Sequence, residues 1–203
     1  MRLKALTCGL ILHLTLPSIA QAISQSIASA GDRTGVDQPF DYDVALATSQ
    51  AALGSQVGDY SFVDTDGKTL TLGQLRGKPL VLSMVYTSCY QICPMTTRHL
   101  SKIVEKARDA LGDESFTVAV VGFDSVVDTP DAMRYFGAKQ GISDQGWNLL
   151  STDPQTIKAL SEDLGFLFYP SSNGFDHLIQ ASVIDAEGRV YRQVYGQVFD
   201  TPM

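Results

Sequence analysis

The sequence predicts one α/β domain: a central mixed β-sheet flanked by helices, entered through an N-terminal β-hairpin. Three observations carry that expectation. Residues 80–86 and 116–122 are nearly continuous apolar runs, the pattern of strands covered on both faces. Leu100, Ile103, Val104, Ala107 and Leu111 recur between them at helical spacing. A second pair of apolar runs, residues 179–185 and 190–195, closes the chain as a hairpin around Glu187-Gly188. Strands and helices in that alternation suit a sheet with helices on both faces. The chain has 203 residues, 44% of them hydrophobic, enough for one good core and most simply for one domain.

Taken in order, Arg2 and Lys4 precede an apolar run from Leu6 to Leu16, and the small-residue site Ala20-Gln21-Ala22 follows. This is the layout of a secretory signal peptide over residues 1–22, and the run is short for a membrane span. Cys8 and His13 leave with it. Residues 23–53 are rich in Ser, Ala, Gln and Asp and read as a flexible entry to a domain covering 54–203. Tyr60-Ser61-Phe62-Val63 and Leu70-Thr71-Leu72 flank Asp64-Thr65-Asp66-Gly67, a tight-turn signal. Gly77-Lys78-Pro79 then punctuates the chain before the first apolar strand. Pro94 suits the start of a helix to Leu111 and Gly112 its exit. Thr129-Pro130-Asp131 opens a second helix to about Lys139, with Thr129 as cap. Residues 147–150 read as a short strand and Asp153 to Leu164 as a capped helix. A thioredoxin-like domain is the natural member of this class.

Net charge is −7, and −9 once Arg2 and Lys4 are lost, which argues against nucleic acid or anionic membrane as partner. Beyond the leader the Cys and His inventory is Cys89, Cys93, His99 and His177. Cys89 and Cys93 lie four apart between an apolar strand and a helix start. Two thiols at that spacing can close a disulfide or hold one soft metal ion. Pro94 biases Cys93 away from helical dihedrals, so the expected arrangement is a loop ending at the helix N-terminus with Cys93 at or near the cap. The positive end of the helix there favours thiolates. A small structural disulfide is the plainer alternative, with a modest stabilising effect. His177, at the entrance to the strand from Ile179, can reach the same end of the sheet, whereas His99 reads as part of a solvated helix flank.

Cys89-x-x-x-Cys93-Pro94, then Phe123-Asp124-Ser125-Val126-Val127-Asp128-Thr129-Pro130, then Asp176-His177 before a strand, resemble the Sco/SenC/PrrC family of copper-binding, thioredoxin-like proteins. The likeness runs from about Leu53 to Met203. The resemblance implies assembly of the binuclear copper centre of cytochrome c oxidase, by delivering copper or by reducing the cysteines that receive it. It implies Cys89, Cys93 and His177 as copper ligands, for Cu(I) first and Cu(II) second, and Asp124 and Asp128 as acidic residues near the site that guide the partner. Turn formation and capping beside Thr129 is the competing role for Asp128. The implied partners are the oxidase subunit carrying that copper site, and other copper chaperones or thiol reductants.

Two thiolates and an imidazole make a soft, low-coordinate set suited to Cu(I), where zinc normally takes a fourth ligand. The expected location is the periplasm, with a membrane tether if the leader is retained. The second reading is a thiol-disulfide oxidoreductase acting on partner cysteines through Cys89 and Cys93. A third is a peroxide-reducing relative using Cys89. Relatives usually carry a further C-terminal helix after a segment like residues 195–202, and that helix is expected to be missing.

Overall fold

The computed structural model describes residues 40–143 and 146–196. In chain order the elements are α1 (Tyr42–Ala51), β1 (Ser61–Asp64), β2 (Thr69–Thr71), a 3-10 turn (Leu72–Leu75), β3 (Leu80–Val85), α2 (Ile92–Leu111), β4 (Thr117–Gly122) and α3 (Pro130–Gln140). There follow β5 (Asn148–Ser151), α4 (Pro154–Leu164), β6 (Phe168–Ser171), β7 (Gly174–His177), β8 (Gln180–Ile184) and β9 (Val190–Tyr195). The expected leader and the expected loss of a C-terminal helix fall outside the described residues.

The two continuous apolar runs become the middle of a seven-stranded sheet of order β2-β1-β5-β4-β3-β8-β9. β3, β4 and β5 are parallel, and antiparallel strands flank them, β1 beside β5 and β8 beside β3. The sheet is therefore mixed, as expected, and its parallel centre explains why β3 and β4 carry no polar face. Val118, Val120, Val121, Leu82 and Leu150 are buried there with Phe62, Met133 and Leu160. Each such side chain contributes about 1.5–3 kcal/mol on leaving water. The N-terminal hairpin pairs Val63 with Thr69, and Asp64 closes it by accepting from the N–H groups of Asp66 and Lys68, each at 2.8 Å. Both expected Pro-led helices have the foreseen caps: the Thr129 hydroxyl accepts from Ala132 N–H, and the Asp153 carboxylate from Gln155 and Thr156 N–H. Among the described residues no helix is long and apolar enough to cross a membrane.

Three local readings change. The flexible entry expected to residue 53 ends earlier, because α1 occupies Tyr42–Ala51 with Asp41 as its cap, accepting from Asp43 and Val44 N–H at 3.0 Å. Its inward residues are Ala45 and Ser49, too small and polar to register as an apolar stripe. Ser49 donates to Gln180 at 2.7 Å, inside a buried polar chain that continues through Ser182 and Gln193. Because alternate β8 residues face opposite ways, Gln180 and Ser182 serve α1 while Ala181 and Val183 face α2 with Val81. Secondly, α2 begins at Ile92, so Cys93 and Pro94 lie inside its first turn. Proline loses nothing there, since first-turn N–H groups have no intrahelical acceptor. Thirdly, β6 and β7 form a separate two-stranded ribbon that was not foreseen.

Gly165, the left-handed C-cap of α4 at φ 59°, lies against the backbone of α1: a Cβ there would lie 2.4 Å from the Thr48 carbonyl oxygen. Gly165→Ala is expected to lose about 1–3 kcal/mol through forced separation of α1 and α4. Urea denaturation measures this, and a loss below about 0.5 kcal/mol would show that the contact is slack.

Candidate metal and thiol centre

β3 ends at Val85, and the chain turns at once, with Cys89 N–H donating to the Tyr86 carbonyl at 3.1 Å. The turn delivers Cys89 to the N-terminus of α2, where Cys93 N–H donates to Cys89 Sγ at 3.3 Å. Cys89 is half-buried and Cys93 is 4% exposed, and both are free thiols. The two sulfurs have opposite tendencies. Hydrogen bonding from Cys93 pulls the Cys89 thiol down to about 4 against the cost of burial, helped by the N–H groups of Cys93 and Gln91 and by the Tyr86 hydroxyl. Its partnership with Cys89, and then burial, push Cys93 up. The reduced pair thus carries one negative charge, centred on the more accessible sulfur. That agrees with the anion-favouring end of a helix.

His177 ends β7 and so arrives from the ribbon rather than from the strand at Ile179. Its ring stands edge-on to Tyr86, with centroids 6.0 Å apart, and 5.4 Å from both Phe123 and Phe166. Burial lowers its pKa, opposed by the Leu178 carbonyl and the Cys89 charge, so the imidazole is neutral at neutral pH. Nδ1 lies 2.7 Å from the Leu178 carbonyl, which assigns the proton to Nδ1 and leaves the Nε2 lone pair for a ligand. The donor set therefore fits a soft metal ion: a thiolate, a second thiol that loses its proton on binding, and a neutral imidazole in the ligating tautomer. Among the described residues, however, no three His, Cys, Asp or Glu side chains are gathered closely enough to form a ready metal cage.

The wall behind His177 is aromatic. Phe123 packs on Phe168 at 4.8 Å, Tyr86 and Phe175 at 5.3 Å, and Phe166 at 5.5 Å. The ribbon that supplies Phe168 and Phe175 turns through Ser172-Asn173, and Gly174 follows at φ 115°. A Cβ at Gly174 would fall 2.8 Å from the Tyr86 ring, so only glycine lets the ribbon close on that tyrosine.

Of the two acidic residues near the site, Asp124 is half-buried and Asp128 only 1% exposed. Asp128 accepts from Thr87 N–H and Thr87 Oγ1–H, both at 2.7 Å, and from Asp124 N–H at 2.9 Å. Burial raises its pKa against those hydrogen bonds. At 1% exposure it offers no carboxylate surface to a docking protein, and it does not cap α3 either, since Thr129 does. A Cβ on Gly122 would lie 2.4 Å from Asp128 Cβ, so that glycine makes room for the carboxylate. His99 is half-buried rather than solvated. Thr87, Tyr86 and the phenylalanine cluster were not singled out as site residues by the sequence. An aromatic run at 166–169 ahead of Ser172-Asn173-Gly174 was the available signal.

A Bacillus subtilis SCO1 protein homolog is 26% identical over 156 residues, covering 74% of this chain and 78% of that protein. The crystal structure of a putative electron transfer protein from Aquifex aeolicus is 31% identical with a TM-score of 0.67, covering 73% of this chain and 87% of that one. Arabidopsis thaliana ScoI, solved with copper bound, superposes with a TM-score of 0.63 at 20% identity, over 71% of this chain and 90% of that one, and supports the thioredoxin-like fold. Residues 48–201, which hold the thiol turn, the Asp128 loop and the His177 ribbon together, match the SCO1/SenC family as a whole, and this chain belongs to that family.

Proposed function

We propose that this protein binds copper through Cys89, Cys93 and His177 in the periplasm, and there delivers copper to, or prepares the cysteines of, the binuclear copper site of cytochrome c oxidase during its assembly. The observation that carries the reading is the thiol pair at the start of α2, where Cys93 N–H donates to Cys89 Sγ at 3.3 Å, and the Leu178 carbonyl that takes the His177 Nδ1 proton and leaves Nε2 with its lone pair. The copper bound in Arabidopsis ScoI and the family likeness support it. The leader-like layout of residues 1–22 in the sequence supports export. Cys89, Cys93 and His177 would hold the ion, two soft sulfurs and one imidazole nitrogen forming a low-coordinate set suited to Cu(I). Cys93 would shed its proton on binding, and acid would also protonate Cys89 and His177, so loading weakens as pH falls.

The test is a copper titration of the reduced chain under anaerobic conditions. We expect close to one copper per chain, and His177→Ala should weaken binding at least tenfold and change the spectrum of the Cu(II) form. Equal affinity and an unchanged spectrum in that variant would remove His177 from the ligand set.

A second reading, thiol-disulfide exchange on partner cysteines, is favoured by the inequality of the two thiols. The accessible Cys89 thiolate would attack a partner disulfide, forming a mixed disulfide and expelling one partner sulfur as thiolate. Cys93, on losing its proton, would then displace the second partner sulfur, leaving Cys89 and Cys93 joined. In that case Cys93→Ser traps the mixed disulfide and His177→Ala leaves the exchange rate unaltered.

A further inference from the structure

We propose that Asp128 is a positioning residue for the thiol pair, holding the turn that carries Cys89 so that the reduced, open arrangement is favoured over the disulfide. The inference rests on reading Cys89 and Cys93 as the working thiols, and it assigns to Asp128 a task other than partner guidance or helix capping.

A carboxylate this deeply enclosed is costly, and its three described hydrogen bonds all come from neutral donors. What it secures is specific. β3 has finished at Val85, so the Thr87 N–H lies beyond the sheet ladder; Asp128 accepts it and takes the Thr87 hydroxyl as well. Thr87 occupies the middle of the turn that the Cys89 N–H closes onto Tyr86. The other carboxylate oxygen accepts from Asp124, whose own carbonyl accepts from Val127 and Asp128 N–H at 2.9 and 2.7 Å. The loop between β4 and α3 is thereby rigid, and the thiol turn is fastened to it. Cys89 Sγ is held against the Cys93 N–H, a contact that stabilises a thiolate and that a neutral disulfide sulfur accepts far more weakly.

Asparagine keeps the shape and one acceptor oxygen, but its amide nitrogen then meets the Asp124 N–H donor to donor. The turn is expected to relax and the reduced form to lose its advantage. The measurement is the equilibrium of the full chain with glutathione, in which one S–S bond forms between Cys89 and Cys93 while that of glutathione disulfide breaks. Two electrons and two protons pass to the two glutathione thiols. Asp128→Asn should shift this constant toward the protein disulfide about tenfold, equivalent to about 30 mV. Thr87→Val should shift it the same way and Thr87→Ser, which keeps both hydrogen bonds, should not. In the double variant Asp128→Asn with Thr87→Val the shifts should fall well short of multiplying, because both act through one contact. A general loss of stability shared by both redox forms leaves this constant unmoved.

A shift under threefold in Asp128→Asn, or fully multiplicative effects, overturns the proposal. If Asp128→Asn does not fold, Thr87→Val against Thr87→Ser decides, with the same threshold. Copper takes no part in the measurement, so a chain that bound no copper would refute the metal reading and leave this one to stand or fall separately.

Discussion

Phe123→Ala is expected to destabilise the domain by about 3–5 kcal/mol, among the largest effects of any single substitution in this chain. Phe123 is 2% exposed and its ring meets those of Tyr86, Phe166, Phe168, Phe175 and His177. It follows directly after β4, and its N–H donates to the Val85 carbonyl at 2.8 Å, so it sits where the two central parallel strands stop and the site begins. Truncation opens a cavity that the sheet side cannot fill, because its backbone is fixed by the ladder. The loss is a large part of the 5–15 kcal/mol typical of a domain. In thermal unfolding it should appear as a fall of roughly 6–20 °C. A drop corresponding to under about 1 kcal/mol would mean that the aromatic rings collapse inward and do not form a rigid wall.

The second large effect concerns acidity. An ordinary cysteine with pKa of about 8.5 is roughly 0.3% thiolate at pH 6, whereas Cys89, drawn down to about 4, is almost wholly ionised there. The pH profile of alkylation, or of thiolate absorbance, should stay flat from pH 8 to about pH 5 and reach its midpoint near 4, with Cys93 silent throughout. The position of the midpoint is the decisive quantity, since a low-pKa thiolate is also a weaker nucleophile and the absolute rate is modest. A midpoint above 7 would contradict the placement of Cys89 at the helix terminus. The same shift sets a dependence of stability on pH. The folded value lies below the unfolded one, so the contribution of Cys89 is complete above about pH 8.5, declines as pH falls, and is gone below about 4. Reduced protein compared with Cys89→Ser across that interval isolates it, the difference in stability narrowing toward acid.

Much of the fold was written in periodicity. β3 and β4 announced themselves as unbroken apolar runs, and Thr129-Pro130 and Asp153-Pro154 marked helix starts because cap chemistry is local to a few residues. α1 was hidden because it docks through Ser49 and Ala45, a polar and a small side chain whose value depends on Gln180, 131 residues later. The ribbon of β6 and β7 was hidden by Pro170, which argues against a strand inside a sheet but costs nothing in a two-stranded ribbon, where both strands are edges. At the candidate site, Cys89, Cys93 and His177 stand out in the sequence because few residue types can do that chemistry, and the structure brings the two cysteines into contact at the start of α2. The enclosure of Asp128 was not, since a carboxylate next to a helix start looks the same in sequence whether it caps, faces water or turns inward.

The ribbon also sets a thermodynamic condition on the site. Its strands pair with each other and with no strand of the seven-stranded sheet, and a lone two-stranded ribbon has little stability of its own. His177 thus rides on a segment held to the domain by the packing of Phe168 and Phe175 on Phe123 and not by a sheet ladder, whereas the turn carrying Cys89 follows directly on β3. On the copper reading proposed above, apparent affinity would be the intrinsic affinity multiplied by the fraction of molecules whose ribbon is docked. On that reading, substitutions at Phe168 or Gly174, neither of them a proposed ligand, would tune that fraction and so grade how readily the ion is given up while Cys89, Cys93 and His177 stay unchanged.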